Sequence, residues 1–186
     1  QKNDGQRCYF CKAELFTHLR AIADAEGYRA IAYGANVDDM TDWRPGHQAA
    51  RERDVVSPLY LAGLGKPEIR EISRRLGLPN WNKPAMACLS SRIPYGTPVT
   101  AETLARIEAA EAVLRGLGIA QFRVRHHDTV ARIEAPPEAW PRLLEPEVLE
   151  QVTAGIRAAG YTFVTLDLEG FRSGSMNQLL RSRGGP

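Results

Sequence analysis

At 186 residues, with 44% hydrophobic and 25% charged side chains, the chain suffices for one domain with a good core or for two small ones, and its composition excludes a disordered tail. The formal net charge of +2 and a pI near 8.5 are too mild to point to nucleic acid, so local clusters must carry any anion argument. No apolar run has the length of a membrane-spanning helix and the polar start Gln1-Lys2-Asn3-Asp4-Gly5 is unlike a signal peptide, which makes the cytoplasm the expected compartment and excludes a membrane partner.

Near the start, Arg7-Cys8-Tyr9-Phe10-Cys11 sets two cysteines in a Cys-x-x-Cys spacing, and Cys88 is the third. In a cytosolic protein that spacing points to metal or redox chemistry more than to a structural disulfide, and an odd number cannot all pair within one chain. Zinc would need a fourth ligand, for which His18, His47, His126 and His127 are available. An iron-sulfur cluster on three cysteines would keep one iron open to an outside ligand. From Lys12 to Ala23 the residues Leu15, Leu19 and Ile22 recur at helical spacing, which predicts a helix closed near Gly27.

Arg29 to Gly34 is a short β-rich run ending on glycine and predicts a strand. Asn36, Asp38 and Asp39 then fall on the loop after it, where open α/β sheets bind ligands, although Asp38-Asp39 reads more simply as a solvated turn or helix cap. Gln48 to Arg53 predicts a polar helix, Val55 to Leu59 a short strand cut by Pro58, and Lys66 to Gly77 a helix with Ile69, Ile72 and Leu76 on one stripe. This alternation argues for an α/β layer with parallel strands.

Lys83 to Pro98 places Cys88 among small, hydroxyl and basic residues, Ser90, Ser91 and Arg92 included, with Pro84, Pro94 and Pro98 arguing against a continuous helix. A cysteine on such a fixed, non-repetitive backbone, with Arg92 close enough in sequence to favour the thiolate, reads as a sulfur that reacts or binds metal. The alternative is a buried structural cysteine beside a surface arginine.

Beyond Pro98, Thr100 can cap a helix running to Gly116 or Gly118. Two β-like runs follow, Gln121 to Arg125 and Thr129 to Glu134, joined through His126-His127-Asp128 as a hairpin. A helix from about Pro146 to Ala159 and a strand from Thr162 to Asp167 complete a small α+β unit. Glu111 shares the angular position of Leu104, Ile107 and Leu114, so its carboxylate must snorkel, pair with a cation or contact a ligand. Arg123 and Arg125 share one strand face; an anion over them is the sharper reading and an exposed strand face the duller one.

Gly34-Ala35-Asn36-Val37-Asp38-Asp39, Arg44-Pro45-Gly46, the run from Pro84 through Ala87-Cys88-Leu89-Ser90-Ser91-Arg92 to Gly96, and Phe122-Arg123-Val124-Arg125-His126 together resemble the LarE sulfur transferases of the PP-loop ATP pyrophosphatase superfamily. The resemblance implies an α/β fold: an incomplete PP-loop, Rossmann-like domain with a parallel sheet over residues 1–98, carrying the cysteine loop, and a small α+β sulfur-transferase domain over 99–186. It implies synthesis of a nickel-pincer nucleotide cofactor. ATP and Mg²⁺ adenylylate a carboxylate of pyridinium-3,5-biscarboxylic acid mononucleotide, a nucleotide-like small molecule, and sulfur then converts it to a thiocarboxylate.

By that resemblance Cys88 is the sacrificial sulfur donor of single-cysteine members. Alternatively Cys8, Cys11 and Cys88 hold a [4Fe-4S] cluster whose open iron carries sulfide. Glu111 falls among the catalytic residues; Arg92, Arg123 and Arg125, with Ser90 and Ser91, hold phosphate or carboxylate; Asn36, Asp38, Asp39 and Arg44 border the nucleotide; and a homo-oligomer is expected. The Ser-Gly-Gly-x-Asp-Ser phosphate cradle of the superfamily does not occur in the sequence, so the chain reads as amino-terminally truncated, with Arg29 to Gly34 deprived of neighbouring strands. Two other readings are a non-enzymatic zinc- or nucleotide-binding remnant and a tRNA-thiolating relative; for the latter no long basic or aromatic-interleaved surface is evident.

Overall fold

The computed structural model describes residues 3–41, 45–83, 86–172 and 175. It divides into two compact units, residues 5–84 and residues 85–186 with 1–4. The division runs through the cysteine loop, and Cys88 falls in the second unit.

In the first unit α1 spans Arg7–Glu26 and ends on Gly27, whose φ of 75° is the left-handed conformation that closes a helix. The helix begins five residues before the expected start and takes in both Cys8 and Cys11. Its buried side chains are Phe16 and Ala23, with Leu19 partly buried, whereas Leu15 and Ile22 are exposed. The true apolar stripe is thus rotated by one residue, because Phe16 brings the largest apolar surface to the small core of Ala23, Ile31, Ala50 and Val55.

The two expected strands of this unit reduce to one parallel bridge, Ala32 to Val56, fixed by Val56 N–H donating to Ile31 O (2.9 Å) and Tyr33 N–H donating to Val56 O (3.0 Å). Pro58, expected to cut a strand, instead opens the short helix α3, Pro58–Leu61, where its fixed φ and missing donor are favourable. Helix α2 covers Pro45–Arg51 and α4 covers Lys66–Arg75. The stripe of α4 is not buried: Ile72 and Leu76 are exposed.

The second unit carries a three-stranded sheet in the order β1 (Arg123–His127), β2 (Val130–Glu134), β3 (Phe163–Leu166), with β1 antiparallel and β3 parallel to β2. His127 pairs directly with Val130, so the hairpin turns on Asp128-Thr129 alone, and both histidines expected in the connection are strand residues. Asp128 takes the positive φ of 55° that a short polar side chain tolerates.

Helix α5, Ala101–Gly116, begins as expected on Thr100, whose hydroxyl accepts from Thr103 N–H (3.1 Å). Helix α6, Trp140–Leu143, has no counterpart in the sequence reading, and α7, Pro146–Ala158, has. A Cβ added at Gly155 would lie 2.8 Å from Val113 Cγ2, so α5 and α7 meet where one side chain is absent. Register fixes the two faces of the sheet. Val124, Ala131 and Ile133 join Leu114, Val152 and Ile156 in the core. Arg123, Arg125, His127, Arg132 and Glu134 stand together on the opposite face.

His126 lies on the core face, with Nδ1 3.1 Å from the Tyr161 hydroxyl. Burial and the Arg106 cation hold its imidazole below the ordinary histidine value, and burial together with Arg132 does the same for His127. In the unfolded chain both titrate at about 6.5. Between that value and the lower folded one the unfolded state binds more protons, so stability is lost as pH falls. Thermal denaturation is expected to give a midpoint that is steady above about pH 7 and drops as pH is lowered through about 6.5. Replacing both histidines by Asn is expected to remove part of that drop; an unchanged pH profile in the double variant contradicts the assignment.

Candidate functional site

The chemistry gathers on the charged face of the sheet, where the cysteine loop lies against β1. Cys88 is exposed, in extended geometry (φ −63°, ψ 153°), immediately before a 3-10 turn over Leu89–Arg92. The buried structural cysteine considered on sequence is therefore not what the fold contains. Ser91 N–H donates to Cys88 O (3.0 Å) and Ile93 N–H to Ser90 O (3.1 Å), closing the turn.

Downstream, Gly96 takes a φ of 92° at the third position of a Pro94-Tyr95-Gly96-Thr97 turn, where a side chain would be strained. Asn3, buried, clasps that turn: its side-chain amide donates to Pro94 O and Thr97 O (both 2.7 Å), and its backbone carbonyl accepts from Gly96 N–H (2.7 Å). An asparagine at a polar chain start carries no sequence signal for such a role.

Arg92 is only 2% exposed, and each nitrogen of its guanidinium donates to the protein. Nε and Nη2 donate to the two oxygens of Glu111 (2.7 and 3.1 Å). Nη1 donates to Ala87 O (2.8 Å), Cys88 O (3.1 Å) and Ser91 Oγ (3.1 Å). Of the three fates open to Glu111 on sequence, the structure selects pairing with a cation. Also 2% exposed, Glu111 accepts in addition from Val124 N–H (3.1 Å), satisfying a backbone donor on the outer side of β1. One carboxylate thus ties α5, β1 and, through Arg92, the carbonyls on either side of the cysteine.

Arg125 is 1% exposed, which excludes the solvent-exposed strand face considered for it. It donates to Ser91 O (2.8 Å), Glu134 Oε2 (2.7 Å) and Ser175 Oγ (2.7 Å). Glu134, fully buried, also pairs with Arg132 (3.4 Å) and accepts from the Ser175 hydroxyl (2.9 Å). Arg132 further donates to Asp167 and to His127 Nε2 (3.3 Å).

Arg123 differs from its neighbour. It is half-buried, donates to Arg172 O (3.3 Å) and lies over the Phe171 ring at 4.6 Å. Among the described residues no carboxylate stands within ion-pair reach of it. Burial, then the positive charges of Arg125 and Arg92, hold its guanidinium below the ordinary arginine value. The face therefore carries one cation whose charge is not locally matched. Sequence reasoning missed Glu134, Arg132, Asp167 and Ser175; the only available signal was strand parity, which puts Glu134 opposite Arg123.

The other sequence-predicted residues lie in the first unit. Cys8 and Cys11 are exposed, one turn apart on α1. Asp38 Oδ2 accepts from Lys66 N–H (2.6 Å) at the start of α4. Asp39 is buried, accepting from Asn36 N–H (3.2 Å) and pairing with Lys66 Nζ (3.5 Å). Asn36 is buried too, and its Oδ1 has no hydrogen-bond partner among the described residues. Arg44 lies outside the described residues. Among those described, no group of three His, Cys, Asp or Glu side chains converges as a metal site, and no helix is long and apolar enough to cross a membrane.

No family profile matches the chain. It is 48% identical over 178 residues to an uncharacterized protein of Synechocystis, covering 96% of this chain and 66% of that protein. It is 39% identical over 180 residues to the pyridinium-3,5-bisthiocarboxylic acid mononucleotide synthase of Lactiplantibacillus plantarum, covering 97% of this chain and 64% of the synthase. An uncharacterized protein of Methanocaldococcus jannaschii is 30% identical over 172 residues, with 92% and 66% covered. The chain spans 64% to 66% of the length of these relatives.

Proposed function

The chain belongs to the LarE family of sulfur transferases, and on that premise we propose that it carries the sulfur-delivering part of a pyridinium-3,5-bisthiocarboxylic acid mononucleotide synthase. The observation that supports this most is the exposed Cys88 on a loop whose flanking carbonyls are held by the buried Arg92–Glu111 pair. Such a loop spends little ordering entropy when a substrate arrives, which favours attack by a positioned nucleophile.

In this reading ATP, with Mg²⁺, converts a carboxylate of the pyridinium mononucleotide into an acyl adenylate. The Cys88 thiolate attacks the carbonyl carbon and AMP departs with the electron pair of the cleaved C–O bond, leaving a thioester. Removal of the Cys88 α-proton then drives electrons into a Cα–Cβ double bond. The Cβ–S bond breaks, sulfur leaves as the thiocarboxylate, and residue 88 becomes dehydroalanine. Arg123 takes the substrate's phosphate or carboxylate in its fork, relieving the unmatched charge of the face. Asn36, Asp38, Asp39 and Arg44 border the nucleotide.

The pair Cys8 and Cys11 favours a second reading of the sulfur source. Three cysteines are the ligand count of a [4Fe-4S] cluster with one open iron, and Cys8 and Cys11 are exposed one turn apart on α1. When bound, the cluster would supply sulfide at that iron. The chain's own part is to present the three thiolates.

Supplying the acyl adenylate preformed separates sulfur delivery from ATP activation. Peptide mass spectrometry is then expected to find dehydroalanine at position 88 in step with thiocarboxylate formation. Thiocarboxylate formed with Cys88 intact rules out the sacrificial route. If it then depends on Cys8, Cys11 and anaerobic reconstitution with iron and sulfide, the cluster supplies the sulfur.

A further inference from the structure

We infer that the segment following β3, through Phe171, Arg172 and above all Ser175, is a positioning element that fixes the cysteine loop by way of the two strand arginines. The inference rests on the reading of Cys88 as the sulfur-bearing residue. It extends that reading to a part of the chain whose glycine, serine and arginine composition gives it no active-site signature.

The geometry is a relay of hydrogen bonds. Ser175 Oγ donates to Glu134 Oε1 (2.9 Å) and accepts from Arg125 Nη2 (2.7 Å), which also holds Glu134 Oε2 (2.7 Å). The serine, the carboxylate and the guanidinium thus close a ring in which each member fixes the other two. Ser175, Arg125 and Glu134 are all buried, so these bonds are made away from competing water. From the ring, Arg125 Nη1 reaches Ser91 O (2.8 Å), inside the turn that follows Cys88.

The same segment seats the other arginine. Arg172 O accepts from Arg123 Nη1 and the Phe171 ring lies against the guanidinium, while Phe171 N–H is anchored on Ala135 O (3.2 Å) just after β2. Two guanidiniums side by side on one strand repel, and each needs a partner to hold its rotamer. Here one stretch of chain supplies a hydroxyl for the first and a carbonyl and a ring for the second. Arg92 restrains the carbonyls before and at the cysteine, and Arg125 the one three residues after it, so losing Ser175 loosens one side of the loop and leaves the other.

Hydrogen-deuterium exchange read by peptide mass spectrometry on the full chain tests this. Ser175→Ala loses the hydrogen bonds to Arg125 and Glu134 and is expected to speed exchange over residues 86–93 by about threefold or more, part of that loss reaching the loop through Arg125. Exchange over α7, compared at equal global stability, should stay close to that of the unaltered chain. Ser175→Thr keeps the hydroxyl and is expected to restore slow exchange. If Ser175→Ala leaves the 86–93 region unchanged, or speeds exchange equally in α7, the serine does not position the loop and the inference is overturned. The readout needs no turnover. A local effect rescued by Thr supports positioning even if no dehydroalanine forms at Cys88, and dehydroalanine formation with no local effect sinks the inference alone.

Discussion

Glu111→Ala is expected to destabilise the folded chain by about 3–5 kcal/mol, because it leaves the buried Arg92 cation without its carboxylate and Val124 N–H without an acceptor. Urea denaturation would read the loss, and a midpoint unchanged from the unaltered chain would show that the pair is not buried in solution. Glu111→Gln should cost less, since an amide keeps one acceptor for Arg92 or for Val124, but it cannot keep the two-pronged carboxylate fork. The informative partner is the double change Arg92→Met with Glu111→Leu. Replacing a buried ion pair by packed apolar groups is often neutral or stabilising, so the double variant is expected to recover much of the lost stability. It should not recover the loop, because Ala87 O and Cys88 O have lost the donor that held them. A stable fold with fast hydrogen exchange over residues 86–93 and little sulfur delivery would separate what the pair does for the site from what it does for the fold.

How much of this was legible in the sequence follows the range of the interactions. Glu111 stood out because helical periodicity alone puts it on an apolar stripe, and a carboxylate there needs a partner wherever it lands. The identity of the partner, nineteen residues earlier in a proline-rich loop, is a tertiary fact with no periodic trace. Thr100, Gly27 and the paired faces of β1 and β2 are local, set by caps and by the two-residue repeat of a strand, and they were readable. Arg29 to Gly34 shows the limit from the other side: β-rich composition says that a segment can pair, whereas the extent of pairing depends on its neighbours, and here it is one bridge. In α1 the stripe was misplaced because three aliphatic residues at helical spacing outweighed a single phenylalanine, and in a small core the ring decides which face turns inward. Asn3 and Ser175 were invisible because lone polar residues in polar stretches look solvated until the fold closes over them.

The two strand arginines were a single feature in the sequence, and the structure makes them different in kind, which sets the last expectation. Arg125 is spent on Ser91, Glu134 and Ser175, so Arg125→Ala is expected to act on the fold, stranding the buried Glu134 carboxylate. Arg123→Ala should leave stability nearly intact, since it removes a half-buried cation that two like charges already disfavour and whose described contacts are a carbonyl and a ring. Its cost falls on binding. If Arg123 holds the phosphate or carboxylate of the pyridinium mononucleotide, losing hydrogen bonds to a charged group forfeits about 1.5–3 kcal/mol, roughly a tenfold to hundredfold rise in the substrate concentration that half-saturates a single turnover, with a smaller change in its limiting rate. Arg123→Lys keeps the charge but not the planar fork, and is expected to fall between the two. Raising ionic strength should weaken binding to the unaltered chain more than to Arg123→Ala, since screening acts on the charge that the variant has lost. Single-turnover kinetics with the preformed acyl adenylate across salt concentrations reads all of this, and an Arg123→Ala chain with an unaltered half-saturating concentration and salt response would move the anion site elsewhere on the face. Among the described residues of this face one cation exceeds its local carboxylates, and that surplus is what these measurements would assign to a substrate, while the matched pairs around it hold the cysteine loop.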